Sequence, residues 1–253
     1  MTGLRPISPL RDIALACALL TRLPVPVDAG FAAGRGARAA WAYPLAGGLV
    51  ALISGGVAAG GLWLGLPVAL AAGLAIALQV VLTGAMHEDG LADAADGLWG
   101  GWTRERRLEI MKDSRIGSYG VLAIVLVTGL RWSALATLGP ALLTALPGAA
   151  LLSRGAMVVV MAALPNARED GLSRGIGRPG AGTAALAMLI AGGAALALCG
   201  GAAIALALAA AGAGLACALI ARARIGGQTG DILGATQQIC ETAVLALATL
   251  LLV

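Results

Sequence analysis

Long apolar stretches, separated by shorter polar segments, dominate this chain of 253 residues. A helix that crosses a bilayer needs about 20 mostly apolar residues, and segments near that length recur along the whole sequence. They run over residues 41–66, 68–86, 117–138, 140–163, 183–199, 200–221 and 240–253. Because the last segment is short, it either begins earlier or crosses incompletely. The pattern predicts an all-α fold, a polytopic transmembrane helical bundle of about seven spans in a single integral membrane domain.

The connections between these segments alternate in character. Every second connection is short and uncharged, whereas the segments 87–116, 164–182 and 222–231 are longer and rich in Arg. The N-terminal stretch is also basic, and its arginines are Arg5, Arg11, Arg22, Arg35 and Arg38. Since cytoplasmic loops of membrane proteins carry an excess of Lys and Arg, we expect all four segments on one face. The sequence thus predicts a multi-pass protein of the cell (inner) membrane whose active site faces the cytoplasm.

A further helix is predicted near the N-terminus, over residues 9–23. Its apolar run is too short to cross a bilayer and is followed directly by Arg22 and a proline-rich turn. Such a segment is typical of a helix that lies in the membrane interface. We expect Arg11, Asp12 and Arg22 to point towards water.

Composition supports a membrane protein and excludes two other classes. Hydrophobic residues make up 59% of the chain, charged residues 12%, and the mean hydropathy is +0.91, whereas a soluble domain carries about 25% charged residues. The four cysteines form no CxxC pair, so neither a zinc site nor a redox pair is indicated. The net charge of +4 comes from arginines between apolar segments without an aromatic-rich basic face, which argues against nucleic-acid binding.

One segment, residues 87–115, concentrates the acidic side chains. It holds 12 of the 30 charged residues and seven of the 13 acids. On a helix the spacing of Asp89, Asp93 and Asp96 would place three carboxylates on one face, where they repel one another unless a cation is bound. Oxygen ligands without Cys favour Mg²⁺, Mn²⁺ or Ca²⁺; the alternative is a solvated acidic face. His87, the only histidine, is a metal ligand, a proton carrier or a polar residue of the membrane interface.

A second cluster follows in the chain. Lys112 and Arg115 are natural binders of phosphate, and Asp113 would be a further metal ligand or a general base. Gly117 and Gly120 would let the backbone approach a phosphate at the start of the third span. The alternative is a set of charges beside the membrane and an ordinary helix start.

A third polar strip lies along the start of the last span, formed by Asp231, Gln238 and Glu241. Ionisable residues inside a membrane usually face a cavity and are functional. Two arginines also lie within predicted spans. We expect Arg154 either to reach a substrate phosphate or to pair with a buried acid such as Glu241, and Arg131 to be structural, paired or snorkelling.

Three of these blocks together resemble the cobalamin synthase family, the adenosylcobinamide-GDP ribazoletransferases. The resemblance covers nearly the whole chain in order. It rests on HEDGLADAADG at 87–97, EIMKDSRIGSYG at 109–120, GQTGDILGATQQICE at 227–241, LLTRLPVP at 19–26, WAYPLAGG at 41–48 and LPNAREDGL at 164–172. Members of the family often have an apolar residue between the His and the Asp of the first block, where this chain has Glu88.

The resemblance implies a step of vitamin B12 biosynthesis. Adenosylcobinamide-GDP would react with α-ribazole or its 5′-phosphate, giving adenosylcobalamin or its phosphate and releasing GMP, with Mg²⁺ as the cofactor. The residues are compatible with this chemistry. Mg²⁺ on Asp89, Asp93 and Asp96 would bridge the pyrophosphate. Lys112, Arg115 and Arg154 would add positive charge, with Asp231, Gln238 and Glu241 also at the substrate. Asp96, Asp113 or His87 would move the proton of the attacking hydroxyl.

Two other functions use similar residues. Membrane transferases of the CDP-alcohol or prenyl type also hold Mg²⁺ on Asp-rich motifs, but the prenyl type needs a second such motif. A cation transporter would bind its ion near the bilayer midplane, whereas here the acids lie near the expected surface together with phosphate-binding side chains. The expected partners are the two substrates and the lipid bilayer, without nucleic acid, and a homo-oligomer is compatible with the sequence.

Overall fold

The computed structural model describes residues 8–253, and this part of the chain is almost entirely helical. Within that range the only β-type pairing is an isolated bridge between Asn166 and Gln228, so the all-α prediction is confirmed. Arg5, part of the predicted basic N-terminus, lies outside the described residues. The α-helices of the described range are α1 (Pro9–Leu20), α2 (Ala29–Arg35), α3 (Tyr43–Trp63), α4 (Val68–Thr83), α5 (Met86–Gly100), α6 (Arg104–Ile110), α7 (Ser118–Leu138), α8 (Leu142–Ala163), α9 (Leu172–Ile176), α10 (Ala181–Cys199), α11 (Ala202–Ile225) and α12 (Gly230–Leu251).

The long helices lie where the apolar segments predict them, but a count of seven spans is not confirmed. In the described residues, four segments are long and apolar enough to cross a membrane, or five if α4 and α5 form one broken span. One of the four, Ser118–Ala163, is 46 residues long and contains both α7 and α8. The helix α12 is not among them, because the polar residues of its first half lower its hydropathy. These helices are consistent with a multi-pass membrane protein.

The chain bends by 88° between α4 and α5. Gly84 and Ala85 both adopt left-handed backbone conformations at the bend, with φ of +64° and +58°. This conformation costs glycine little but is uncommon for alanine. The helix α5 carries four acidic residues and turns away from the direction of α4. The predicted loop 87–116 is mostly helical, formed by α5 and α6.

The helix α8 lies at the centre of the bundle. Seventeen of its 22 residues are buried, and it packs against α3, α10, α11 and α12. Small residues permit this packing. At Gly47 of α3, for example, a Cβ atom would lie 2.7 Å from Cδ of Arg154, so only glycine leaves room for the arginine side chain.

The position of the N-terminal helix corrects one expectation. Arg11 and Arg22 are exposed as predicted, but Asp12 is fully buried. Its carboxylate accepts hydrogen bonds from the guanidinium of Arg35, at 2.6 and 2.7 Å, and from the indole nitrogen of Trp41 at 2.9 Å. The spacing of Asp12 in α1 did not reveal that a cation 23 residues later would face it. This buried pair attaches α1 to the segment that precedes α3.

Candidate functional site

A polar cavity of about 220 Å³ lies where the three predicted polar segments meet. The start of α5 contributes Asp89 and Gly90, and the start of α12 contributes Gly230 and Asp231. The connection between α8 and α9, together with α9 itself, supplies most of the remaining wall. The polar lining residues of this part of the chain are Asn166, Arg168, Asp170, Ser173 and Arg174. Segments far apart in the sequence therefore form one site.

Backbone pairing joins the connection before α9 to the connection before α12. The amide of Ala167 donates to the carbonyl of Gln228, and the amide of Gln228 donates to the carbonyl of Pro165, each at 2.8 Å. Gly227 is required there, because a Cβ atom would collide with the Pro165 carbonyl. The guanidinium of Arg104 in α6 joins the two segments further, because it donates hydrogen bonds to the carbonyls of Ile225 and Ala167. The two segments thus form one continuous wall of the cavity.

Two glycines bring α5 against α12. A Cβ atom on Gly90 would lie 3.1 Å from the carbonyl oxygen of Asp231 and 3.3 Å from Cα of Gly234. On Gly234 it would lie 3.3 Å from Cα of His87. Such distances leave no room for side chains at the crossing. The consequence is that the acids of α5 lie beside Asp231.

Three carboxylates interact at this crossing. Asp89 is exposed, whereas Asp93 and Asp231 are half-buried. Burial raises the pKa of Asp93 to about 7, and repulsion by the carboxylates of Asp89, Asp231 and Asp96 adds to the effect. The guanidinium of Arg168 donates a short hydrogen bond to the carboxylate of Asp231. The cluster therefore carries excess negative charge that a cation would relieve.

The carboxylates alone do not form a complete metal centre. No group of three or more His, Cys, Asp or Glu side chains among residues 8–253 converges closely enough to hold an ion. Mg²⁺, however, usually takes only one or two carboxylates and completes its coordination with water and substrate phosphates. One or two of the carboxylates of Asp89, Asp93 and Asp231 would supply oxygen donors of the type that such an ion prefers.

Asp96 has a different environment from the one its spacing predicts. Its carboxylate accepts hydrogen bonds from the amides of Gly117 at 2.7 Å and Gly120 at 2.9 Å. These amides belong to the N-terminus of α7, where a negative charge is stabilised by the helix dipole. Cβ atoms on either glycine would collide with the Asp96 side chain. The glycines thus admit a carboxylate of the protein, where the sequence suggested a substrate phosphate.

The second predicted cluster lies beside the cavity and is exposed. Lys112 forms an ion pair with Asp170 at 2.6 Å, and Arg115 pairs with Asp113 at 2.7 Å. Hydrogen bonds from Arg115 lower the pKa of Asp113 to about 2. Of these four residues, Asp170 also lines the polar cavity. A carboxylate with so low a pKa is a weak proton acceptor.

Behind the cavity, a buried ionic network joins α4, α5, α7, α8 and α12. Glu241 accepts hydrogen bonds from Arg131, at 2.6 Å, and from Arg154. Arg131 also binds Gln238 at 2.8 Å and lies 3.5 Å from Glu88. Two arginines and two glutamates balance one another, as buried charges must. The structure therefore places Arg154 with Glu241, one of its two predicted alternatives, and none of these five residues lines the polar cavity.

His87 does not line the polar cavity, and it makes no hydrogen bond to the buried ionic network. It is 2% exposed, and neither ring nitrogen has a hydrogen-bond partner among the described residues. Its side chain lines a smaller apolar pocket that adjoins the polar cavity.

Several lining residues were not singled out from the sequence. Arg168 and Asn166 lie in the LPNAREDGL segment, which by itself resembles an ordinary polar loop. Gln228 closes the wall by accepting a hydrogen bond from Ser173 at 2.7 Å and donating one to Asn166. The signal that this loop does more than connect helices was its similarity to the family over LPNAREDGL.

The helical bundle of residues 8–253, with helices long and apolar enough to cross a membrane and a cavity lined by carboxylates and arginines, is typical of a multi-pass membrane enzyme. Comparison with known proteins gives the particular family. A model of the cobalamin-5-phosphate synthase family matches residues 12–249. The chain belongs to this family, as the sequence motifs predicted, and not to the CDP-alcohol, prenyl-transferase or transporter alternatives.

Curated relatives match this chain over almost their full length. The chain is 48% identical to the adenosylcobinamide-GDP ribazoletransferase of Bradyrhizobium diazoefficiens, over 94% of this chain and 93% of that protein. It is 44% identical to the protein of the same name from Mesorhizobium japonicum, over 96% and 94% of the two chains. It is also 44% identical to the protein of that name from Rhizobium etli, over 95% of this chain and 97% of that protein. No solved structure matches the chain.

Proposed function

We propose that this protein transfers the phosphocobinamide group of adenosylcobinamide-GDP to a hydroxyl of α-ribazole or of its 5′-phosphate, with release of GMP. The observation that carries the proposal is the cavity lined by Asp89, Asp231, Arg168 and Arg174, with Asp93 electrostatically coupled to the two acids, in a chain of the cobalamin-5-phosphate synthase family. The names of the relatives support the same two substrates.

The proposed cofactor is Mg²⁺, held by Asp89 and Asp93 with Asp231 beside them. When bound, the ion would neutralise charge that develops on the pyrophosphate as GMP leaves. The repulsion among these carboxylates supports such a site, since a cation would remove it. The predicted third ligand, Asp96, is less suited to this role because both of its oxygens accept amide hydrogen bonds.

The side chains of the cavity would perform the remaining tasks. Arg168 and Arg174 would bind phosphate oxygens, because a guanidinium matches their geometry with two hydrogen bonds. The carboxylate of Asp89, which lines the cavity, or that of Asp93 beside it would take the proton of the attacking hydroxyl more readily than Asp113, whose pKa is depressed. The oxygen of that hydroxyl forms the new bond to phosphorus as the bond to the GMP oxygen breaks.

We further propose that the transfer is one direct displacement. The cavity lining contains no Cys, Lys or His that would serve as a covalent nucleophile, and phosphoryl transfer relies mainly on positioning and charge stabilisation. Both substrates must then be bound before GMP departs.

The experiment uses purified full-length protein in nanodiscs with Mg²⁺. With both substrates, we expect adenosylcobalamin or its phosphate together with equimolar GMP, and a rate lower by about 10²-fold or more from Asp89→Asn protein. With adenosylcobinamide-GDP alone, we expect no stoichiometric burst of GMP. Absence of product in the complete reaction would reject the proposed function, whereas a GMP burst or a phosphocobinamide-labelled protein would reject only the direct displacement.

The membrane location and orientation are proposed from the charge pattern. The cavity would open to the cytoplasm at the inner membrane, because three of the four Arg-rich segments, 87–116, 164–182 and 222–231, contribute residues to its wall. A single cysteine introduced at exposed Thr103 tests this arrangement. An impermeant thiol reagent should label it in inverted membrane vesicles and not in intact cells; the reverse result would invert the topology.

A further inference from the structure

A small apolar pocket extends from the polar cavity into the bundle. It has a volume of about 60 Å³ and shares Met86, Leu172, Ser173 and Gly230 with the wall of the polar cavity. Its own walls come from α1, α3, α8, α9 and α12 and are almost entirely apolar. They include Leu19, Leu20, Met157, Met161, Ile176 and Leu233. A molecule with a polar end and an apolar end could therefore occupy both spaces at once.

His87 is a buried polar side chain of this pocket whose ring nitrogens have no partner in the described part of the chain, and Tyr43 and Ser173 are the other polar residues of the lining. The residue is 2% exposed, and neither Nδ1 nor Nε2 makes a hydrogen bond to any described residue. A buried polar side chain that is left unpaired destabilises the protein, so such groups in folded proteins call for an explanation. In every protonation state an imidazole carries at least one N–H donor. A ligand with a hydrogen-bond acceptor in the pocket would satisfy it.

Ribazole has the chemistry that this pair of spaces accommodates. Its base is a flat, apolar benzimidazole with a single unsubstituted ring nitrogen, which only accepts hydrogen bonds. Its ribose carries the hydroxyl that must reach the phosphate. We propose that the apolar pocket binds the base of the ribazole substrate and that His87 donates a hydrogen bond to its free ring nitrogen. This inference rests on the proposed function.

The other aromatic parts of the two substrates fit this pocket less well. Guanine presents an amide oxygen, a ring N–H and an amino group, and the nearly apolar walls would leave most of them unpaired. The corrin ring is far larger than the pocket. The pocket itself is smaller than the cavity of about 150 Å³ that holds benzene in a protein core. Met86, Met157 and Met161 line it, and such unbranched side chains can move aside for a ring.

The first test separates the two substrates kinetically. In nanodisc-embedded, Mg²⁺-loaded enzyme, Leu19→Trp should fill the pocket from half-buried α1 and raise KM for ribazole by about tenfold or more, with KM for adenosylcobinamide-GDP unchanged. Leu10→Trp, on the exposed face of the same helix, should change neither value. An equal rise in both KM values for Leu19→Trp, or no rise in either, would overturn the assignment of the pocket.

The second test isolates the hydrogen bond. The α-riboside of 5,6-dimethylindole has a C–H group where ribazole has its acceptor nitrogen and is otherwise of the same shape. Wild-type enzyme should prefer ribazole by about tenfold in kcat/KM, and His87→Leu should lose that preference while retaining turnover of the indole compound. If His87→Leu discriminates as strongly as the wild type, His87 is not the donor. Failure of the wild type to use ribazole at all would instead reject the proposed function.

Discussion

Gly90 of α5 packs so closely against Gly234 of α12 that a Cβ atom on Gly90 would lie 3.3 Å from the Cα atom of Gly234. The same contact sets Gly90 against the backbone of Asp231. The distance between the acids of the two helices therefore depends on the absence of side chains at the crossing. The candidate metal ligands are therefore positioned by two glycines, which have no side chains.

Enlarging either glycine should separate the carboxylates. We expect Gly90→Ala and Gly234→Ala to reduce kcat by about 10- to 100-fold, since a displacement of 1 Å at a reacting group has effects of that size. Turnover in nanodiscs measures the effect, and thermal melting followed by circular dichroism monitors folding. Gly129→Ala, at a helical glycine with open space around it, serves as the control and should keep full activity. Normal turnover in both crossing variants would show that the close approach is not needed.

Asp89 and Asp96 should fail in different ways when they are replaced. Asp89→Asn removes an exposed carboxylate from the cavity, so we expect a loss of turnover of about 10²-fold or more with an unchanged melting temperature. Asp96→Ala leaves the amides of Gly117 and Gly120 unpaired and should reduce the free energy of unfolding by about 1–3 kcal/mol. Thermal melting and Mg²⁺-dependent turnover, measured on both proteins, distinguish the two. Unaltered stability of Asp96→Ala would argue that its carboxylate serves the metal instead.

The raised pKa of Asp93 predicts a pH-dependent affinity for Mg²⁺. With a pKa of about 7, the carboxyl is mostly protonated at pH 6 and mostly ionised at pH 8. Because the ion binds the ionised form, its apparent affinity should fall as the pH falls through 7. Titration of Mg²⁺ against the melting temperature at pH 6 and pH 8 measures this shift, and Asp93→Asn protein should show a much smaller one. An equal shift in the variant would assign the titration to another group.

The raised pKa of Asp93 has the opposite effect on the stability of the metal-free protein, which should fall as the pH rises. The pKa of Asp93 in the folded state lies above the ordinary value of 3.8, so the protonated form is favoured by folding. The penalty for ionising it in the cluster appears as the pH rises from 4 through 7 and is complete above that value. Metal-free Asp93→Asn should therefore be more stable than the wild type at pH 8 and not at pH 4. Chemical unfolding at the two pH values, with a chelator present, provides the comparison.

Arg154 should be needed for folding through its charge balance with Glu241. In Arg154→Met the network keeps Arg131 against both Glu88 and Glu241, so one buried negative charge is left over. We expect a loss of about 3–5 kcal/mol in the free energy of unfolding. Adding Glu241→Gln restores neutrality and should recover much of that loss. If the single variant folds normally but loses turnover, Arg154 acts on the substrate instead.

The positions of the helices and the candidate chemistry could be predicted from the sequence alone. A run of apolar residues long enough to be a span is a local property, and it located the long helices to within a few residues in most cases. The acidic cluster from Asp89 to Asp96 and the arginine-rich segments are also visible locally, because charge is rare elsewhere in the chain. The order of the motifs indicated the family, and the comparisons confirm it.

What only the tertiary structure decided is which of these residues share an environment. Asp96 has the helical spacing of Asp89 and Asp93, yet it lies against the N-terminus of α7. Asp231, which is far away in the sequence, lies beside Asp89 and Asp93 instead. The sequence left open whether Arg154 binds phosphate or Glu241, because both would stabilise a guanidinium. Helical periodicity fixes the face on which a side chain lies but not the helix that packs there, and in this protein the glycine crossing of α5 and α12 makes that choice.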